Sequence, residues 1–138
     1  MMMKLISKIA FLIVIAVALS CKKGKSDISG TYQLIENTPV SVSKGSQNLT
    51  VSASNLIDSR CPINVNCVWE GYAATDLLIK INETENKIKL CTGGCNVVKL
   101  NKQEVITFNG VAYQIQLKDI VISTNSNRRI AVITILKI

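Results

Sequence analysis

Beyond residue 28, apolar and polar residues alternate with a period of two along almost the whole chain. Stretches rich in Val, Ile, Thr and Tyr are separated by clusters of Asn, Gly and Ser, a pattern typical of half-buried strands joined by turns. No stretch in this part of the chain shows a convincing helical stripe. The pattern predicts strands at residues 30–36, 49–53, 68–81, 87–90, 96–100, 104–108, 111–122 and 129–138.

One β-hairpin is marked especially well by its turn sequence. Asn109-Gly110 separates residues 104–108 from residues 111–117, and Asn-Gly supplies the positive φ angles that a type I′ turn requires. Every other residue from Val111 to Leu117 is apolar and is predicted to face the core. The apolar phase changes at Lys118-Asp119, which indicates a β-bulge or a bend.

Seven or eight short antiparallel strands predict a single all-β domain. Such strands form either a two-sheet β-sandwich or a small closed barrel. A lipocalin-like barrel is the alternative, because exported lipoproteins often open with a strand like Gly30-Thr31-Tyr32, but residues 28–138 are few for a roomy cup. We therefore predict an antiparallel two-sheet β-sandwich. Residues 130–138, which are apolar on both faces, should form a central strand covered on both sides.

The N-terminal segment has the organisation of an export signal. Lys4 and Lys8 are followed by an apolar run at residues 9–19 that ends at Ser20 and Cys21. The run is short for a bilayer span, which needs roughly 20 apolar residues. Its ending, Ala-Leu-Ser-Cys, resembles a lipobox, the cleavage site of lipoprotein signal peptidase, in the looser form of Bacteroidetes-type lipoproteins. The resemblance implies that Cys21 carries diacylglycerol and a further acyl chain such as palmitate.

This processing would divide the chain into three parts. Residues 1–20 would be a cleaved helical signal peptide, residues 21–27 the lipidated cysteine with a flexible tether, and residues 28–138 the β-sandwich domain. An uncleaved N-terminal anchor helix is the alternative. Because several acyl chains on one residue anchor a protein stably, we expect it to be attached to a membrane of the bacterial cell envelope, the outer membrane in particular.

The basic charge of the chain does not indicate nucleic-acid binding. The formal net charge is +7, but part of it lies in the signal peptide and in Lys22, Lys23 and Lys25 of the tether. These tether lysines fit a solvated spacer near anionic lipid headgroups. The other basic residues are scattered, and aromatic residues are few. Nucleic acid is therefore not expected as a partner.

Four cysteines remain in the predicted domain: Cys61, Cys67, Cys91 and Cys95. An even number in an oxidising compartment indicates two disulfide bonds, for which three connectivities exist. Chain entropy favours a long-range link. Each short pair, however, lies within one loop, and two glycines let the second loop fold back far enough to close. We therefore predict the local pairs Cys61–Cys67 and Cys91–Cys95.

The domain lacks the residues of most known catalytic centres. The chain has no histidine, which excludes Ser-His and Cys-His nucleophile pairs and histidine metal sites. The cysteine spacings match neither a four-thiolate zinc site nor a Cys-x-x-Cys redox centre at a helix N-terminus. A carboxylate pair from Asp58, Glu70 and Asp76 is a remaining catalytic option. We expect no enzymatic activity, no metal and no cofactor apart from the lipid on Cys21.

Residues 58–73 form the most specific segment of the sequence. They resemble a pattern that recurs in small secreted and lipoprotein domains of bacteria, D-S-R-C-P-x-x-V-x-C-x-W-x-G-x-A, and every fixed position is matched. That family has no assigned activity, so the resemblance implies a β-sandwich with a stapled loop and nothing further. Cys91 and Cys95 are not part of the pattern.

Two interpretations of this segment stay open. In the structural one, Trp69 begins a strand and covers the disulfide, and Gly71 permits close backbone approach. Asp58 and Arg60 then brace the loop by a side-chain pair or by hydrogen bonds to its backbone. In the functional one, exposed side chains form a recognition patch, since Trp, Tyr and Arg dominate interface energetics. Its candidate residues are Arg60, Trp69, Glu70 and Tyr72.

Three function classes follow from these alternatives. The first is a membrane-anchored binding module that recognises an envelope protein or a glycan. The second is an inhibitor of an envelope-attacking enzyme, a lysozyme or a protease, because a preorganised loop loses little entropy on binding. The third is a thiol redox protein or a hydrolase. Exposed apolar side chains at the tip of residues 61–67 would favour the inhibitor, a broad patch on one sheet the module, and free thiols the redox protein.

Overall fold

The structure, a computed structural model, describes residues 27–42 and 48–138. The predicted signal peptide, Cys21 and nearly all of the tether lie outside these residues. The described strands are β1 (Gly30–Ile35), β2 (Val40–Ser41), β3 (Leu49–Asp58), β4 (Tyr72–Ile81), β5 (Thr84–Gly93), β6 (Gln103–Phe108), β7 (Val111–Ile122) and β8 (Arg129–Lys137), and a short helix, α1, spans Cys95–Val98.

The strands form two antiparallel sheets of four strands each. Sheet 1 has the order β1-β8-β7-β6, and sheet 2 has the order β2-β3-β4-β5. The two sheets remain separate and do not close into a barrel. The predicted β-sandwich is therefore confirmed, and the lipocalin-like alternative is not the fold.

The core lies between the sheets and is built from alternate residues of their inner faces. Val51 and Leu77 of sheet 2 and Tyr113 and Ile133 of sheet 1 are among its fully or almost fully buried side chains. Each such burial contributes about 1.5–3 kcal/mol. The period-two pattern of the sequence thus arises because alternate residues of both sheets pack into one core.

The β6–β7 hairpin is as predicted. Asn109 and Gly110 have φ angles of 54° and 71°, and the strands pair from Phe108 opposite Val111. The register of β7 against β8 shifts between Leu117 and Asp119, which confirms the bulge at the change of apolar phase.

One predicted strand is wrong. Residues 96–100 form α1 and the turn that follows it rather than a strand. The disulfide between Cys91 and Cys95 makes the chain reverse at the end of β5, so the strand propensity of Val97 and Val98 cannot be expressed. Val98 and Leu100 instead pack on the outer face of sheet 2.

The last strand is central but not covered on both sides. β8 lies between β1 and β7, as predicted, yet only its inner face is buried. On the other face Val132 is partly exposed and Leu136 is 47% exposed. Apolar residues on both faces of β8 therefore did not indicate that both faces are buried.

The two ends of the sandwich carry different parts of the chain. β1 starts at Gly30 and finishes at Ile35, and its neighbour β8 begins beside that finish. Arg129 Nη1, at the start of β8, donates a hydrogen bond of 2.6 Å to the Leu56 carbonyl oxygen of β3. The last residues of β1 and of β3 therefore lie at one end of the sandwich, and the β3–β4 connection lies at the end opposite Gly30, the first residue of β1.

Candidate functional site

The connection from β3 to β4 carries most of the predicted site residues. We call residues 61–70 the tip loop. Every residue from Pro62 to Glu70 is exposed. Cys61 and Cys67 form a disulfide with their Cα atoms 5.9 Å apart, which confirms the predicted pair. The tip loop is therefore closed by a covalent bond and lies outside the core.

Apolar side chains of the tip loop lie in solvent. Ile63 and Val68 are fully exposed, Trp69 is 63% exposed and Val65 is 56% exposed. Residues 61–69 contain no charged side chain. Exposed apolar side chains that cluster in this way mark interaction sites more often than single ones do.

Trp69 is not a core residue. β4 begins only at Tyr72, so the predicted strand start at residue 68 and the predicted place of Trp69 in that strand are wrong. The reason lies at Gly71, whose φ of 68° turns the backbone just before the strand. Trp69 consequently lies outside the inward and outward alternation of β4.

Arg60 braces the neck of the tip loop, as predicted, and also joins the two sheets. Its Nε and Nη2 donate to the two carboxylate oxygens of Asp58, at 2.8 and 2.6 Å. Its Nη1 donates to Asp119 Oδ1 at 2.7 Å, and Nη2 also donates to the Ile120 carbonyl oxygen at 3.0 Å. Asp58 ends β3 in sheet 2, whereas Asp119 and Ile120 belong to β7 in sheet 1. The side chain therefore fixes the base of the loop to both halves of the sandwich.

The charges of this brace stabilise one another. The hydrogen bond from Arg60 holds the pKa of Asp58 below its ordinary value of 3.8, because hydrogen bonds to a carboxylate favour its charged form. The same bond raises the pKa of Arg60. Both groups therefore stay ionised at neutral pH, and the guanidinium stays paired with Asp58 and Asp119.

Gly71 joins the neck of the tip loop to the second disulfide loop. A Cβ at this position would collide with the Ser59 carbonyl oxygen, which confirms the predicted close backbone approach. The Gly71 carbonyl oxygen accepts a hydrogen bond of 2.8 Å from the Gly94 amide, and the Ser59 amide donates to the Tyr72 carbonyl oxygen at 2.9 Å. Only glycine combines this contact with a positive φ at little cost.

The Cys91–Cys95 disulfide, also predicted, lies in a different environment. Its Cα atoms are 5.7 Å apart, and the two cysteines are 0% and 2% exposed. With Ala74 they form a small second cluster on the outer face of sheet 2, against which Tyr72 packs. This disulfide is a packed element of the fold.

The four candidate recognition residues are thus distributed over different environments. Trp69 and Glu70 are exposed in the tip loop, Arg60 is held in the brace, and Tyr72 packs beside the second disulfide. The sequence analysis did not single out the exposed apolar residues between the cysteines. The lack of any charge over residues 61–69 is the signal that could have found them.

A groove of about 580 Å³ continues the surface of the tip loop. It runs between Pro62 and Ile63 on one side and the ends of β7 and β8 on the other. Ile122, at the end of β7, is 63% exposed there. The groove therefore joins the loop to sheet 1, and its lining combines these apolar side chains with the charged side chains of Asp58, Arg60, Asp119 and Arg129.

Two of the three carboxylates considered for catalysis have separate partners. Asp58 is bound by Arg60. Asp76 lies in a groove of about 730 Å³ on sheet 2, where it accepts a hydrogen bond from Asn55 at 2.8 Å. Lys89 Nζ lies 3.1 Å from Asp76 Oδ1 and forms an ion pair with it. Among the described residues, Asp76 Oδ1 accepts no hydrogen bond.

Residues 27–42 and 48–138 bring together no group of three or more Cys, Asp or Glu side chains that could hold a metal ion. Within the same residues, no helix has the length and apolar character needed to cross a membrane.

Comparisons with protein-family models, with curated proteins and with solved structures find no match for this chain. The resemblance of residues 58–73 to a bacterial lipoprotein motif therefore stays a prediction.

Proposed function

We propose that this protein is a lipid-anchored binding module of the bacterial cell envelope that docks its tip loop into a cleft of a partner protein. The observation that carries the proposal is the solvent exposure of Ile63, Val65, Val68 and Trp69 on a loop closed by a disulfide. Trp is among the side chains that dominate interface energetics.

The rigidity of the loop supports the same proposal. The Cys61–Cys67 disulfide closes the tip, and the Arg60 brace and Gly71 fix its neck. A preorganised loop loses less conformational entropy on binding than a flexible one. The absence of charge over residues 61–69 favours an apolar protein cleft over nucleic acid, whose affinity rests on basic residues.

The position of the loop supports a partner away from the anchoring membrane. Gly30 and the tip loop lie at opposite ends of the sandwich, and a ten-residue strand such as β4 spans about 33 Å. A lipid on Cys21 would therefore leave the loop pointing away from the bilayer.

An inhibitor of an envelope-attacking enzyme, a lysozyme or a protease, is the second candidate. The exposure of Ile63 and Val65 at the very tip favours it, because a narrow apolar projection suits an enzyme cleft better than a flat surface does. Both candidates use the same loop, and the identity of the captured partner separates them.

The test is affinity capture from envelope extract with the protein lacking residues 1–21. Wild type should capture a partner that Ile63→Ser and Trp69→Ala lose. Val105→Ser is the matched control, since Val105 is 55% exposed but lies on β6, away from the loop. Equal capture by all four proteins would refute the loop as the binding site.

Membrane anchoring has its own test. Cys21→Ala should abolish incorporation of labelled palmitate and leave the precursor uncleaved or soluble. Label persisting in this variant would refute the lipoprotein part of the proposal and leave the tip loop untouched.

A further inference from the structure

The two disulfides of this domain differ in their access to solvent. Cys91 and Cys95 are buried in the cluster on the outer face of sheet 2, where Val98 and Leu100 pack against them. Cys67 is exposed, Cys61 is partly exposed, and every residue from Pro62 to Glu70 is exposed. A thiol in solution can therefore reach the Cys61–Cys67 bond without any rearrangement of the sandwich, whereas the second bond requires local unfolding.

We propose that Cys61–Cys67 is a thiol–disulfide exchange site, at which a dithiol reductant of the cell envelope opens the tip loop and thereby weakens partner binding. The exchange reaction itself depends only on the solvent exposure of this disulfide. Its consequence for binding rests on the function proposed above.

The surroundings of the two sulfurs assign the point of attack to Cys67. Cys61 Sγ lies 3.0 Å from the Val65 carbonyl oxygen and 3.6 Å from the Pro62 carbonyl oxygen. These oxygens carry partial negative charge, so they repel a thiolate that approaches Cys61 Sγ, and they also require Cys61 Sγ to take up a proton as it leaves. Cys67 is the more exposed of the two cysteines, so its sulfur is the one that a thiolate in solution reaches more easily.

The exchange proceeds in two balanced steps. A thiolate of the reductant attacks Cys67 Sγ and forms a mixed disulfide, while the electron pair of the broken bond goes to Cys61 Sγ, which takes up a proton. The new Cys61 thiol can donate to the Val65 carbonyl oxygen already beside it. The second thiol of the reductant then displaces Cys67, so the reductant loses two electrons and the loop disulfide gains them.

Opening this disulfide leaves the rest of the fold in place. The neck of the loop stays fixed by the bonds of Arg60 to Asp58 and Asp119 and by the backbone bond between Ser59 and Tyr72. None of these depends on the sulfur bridge. Reduction therefore frees the tip alone and removes the preorganisation on which tight binding depends.

The first test needs no partner. Folded protein lacking residues 1–21 is treated with glutathione, and released thiols are trapped with N-ethylmaleimide and mapped by mass spectrometry. We expect glutathione on Cys67 and maleimide on Cys61, at least about a hundredfold faster than any label on Cys91 or Cys95, because each 1.4 kcal/mol of local opening slows exchange about tenfold. Equal labelling of both pairs would overturn the proposal, and glutathione on Cys61 would overturn the assigned point of attack.

A double variant shows whether the loop can open without unfolding. Cys61→Ser with Cys67→Ser mimics the reduced loop and should keep the far-ultraviolet circular dichroism of the sheets and a cooperative melt. Loss of the folded signal would overturn selective opening. The same variant should also lose about tenfold in partner capture from envelope extract, the size of effect that ordering one flexible loop has on affinity.

Capture by Trp69→Ala separates this inference from the proposed function. If Trp69→Ala captures as well as wild type, the loop is not the binding site, and the labelling result still decides the exchange site. If Trp69→Ala loses capture while the double serine variant keeps it, the loop binds the partner but reduction does not control it, and the regulatory part of the inference is refuted.

Discussion

The two disulfide loops at one end of the sandwich are closed by the same kind of bond and have opposite surroundings. Cys91–Cys95 folds α1 back onto sheet 2 and is buried with Ala74. Cys61–Cys67 closes a loop in which every residue from Pro62 to Glu70 is exposed. A short disulfide can therefore serve either as part of a packed cluster or as a closure that holds side chains exposed for a partner.

Gly71 is where the two loops meet. It ends the tip loop, and its carbonyl oxygen accepts the Gly94 amide of the second loop. The exposed loop is thus built on the buried one, and the sandwich end works as a support for the tip. Four sets of variants test this arrangement, in order of decreasing expected effect on stability.

Removing the buried disulfide should have the largest effect. By chain entropy alone the longer tip loop contributes slightly more, about 2.4 against about 2.1 kcal/mol. Burial reverses this order, because Cys91→Ala with Cys95→Ala also empties packed volume and should cost about 3–5 kcal/mol in total. Cys61→Ala with Cys67→Ala should lose only the chain-entropy contribution, about 2.4 kcal/mol or less. Urea unfolding of the two double variants measures both, and equal losses would contradict the comparison.

Gly71→Ala should cost about 2–3 kcal/mol, since it adds a backbone collision to the strain of a positive φ. Gly110→Ala is a matched control. Gly110 has a φ of 71°, similar to the 68° of Gly71, but an added Cβ there meets nothing within 4 Å. It should lose only the strain, about 1 kcal/mol. A lower melting temperature for Gly110→Ala than for Gly71→Ala would show that close packing of Gly71 against Ser59 is not important for stability.

The local features of this fold could be predicted from the sequence, because each depends on residues close together in the chain. The Asn109-Gly110 turn, the bulge at Lys118-Asp119 and the two short disulfides are of this kind. A two-residue edge strand, β2, has no such local signature and was not predicted.

The misses arise where distant parts of the chain decide the outcome. Asp119 binds Arg60 from 59 positions away, and no spacing rule connects the two. Residues 96–100 alternate like a strand, but the Cys91–Cys95 disulfide turns the chain back, so that Val98 and Leu100 pack on sheet 2. One interpretation of the sequence placed Trp69 at the start of a strand, but the turn at Gly71 separates it from β4, which begins at Tyr72. The exposed apolar tip was missed because hydrophobic periodicity reports burial only within regular elements, and only the lack of charge over residues 61–69 marks it.

Arg60→Ala should cost about 1–2 kcal/mol at neutral pH, more than an isolated surface ion pair, because it removes bonds to two carboxylates and a carbonyl oxygen. The folded pKa of Asp58 lies below its ordinary value of 3.8. Its contribution is therefore complete above that value and is lost as pH falls through the lower folded pKa. The variant should show a shallower loss of stability on acidification. Urea unfolding between about pH 5 and pH 2 measures this slope.

Arg60→Lys is the matched control for this prediction. Lysine keeps the charge but cannot bond both oxygens of Asp58 in the bidentate geometry and reach Asp119 as well. It should recover part of the acid dependence and less than half of the lost stability. Full recovery would show that the brace acts through charge alone, and an unchanged acid slope in Arg60→Ala would show that Asp58 owes its lowered pKa to another group.

The smallest effect is expected for Trp69→Ala. Truncating a large aromatic residue in a core costs about 3–5 kcal/mol, but Trp69 is 63% exposed and lies outside both hydrophobic clusters. Its replacement should change stability by no more than about 0.5 kcal/mol, as surface substitutions do. Phe108→Ala is the matched control, since that aromatic ring is 1% exposed in the core and should show the full loss. A melting temperature for Trp69→Ala as low as that of Phe108→Ala would mean that the indole supports the fold, and the tip loop would lose the side chain that most distinguishes it as a binding surface.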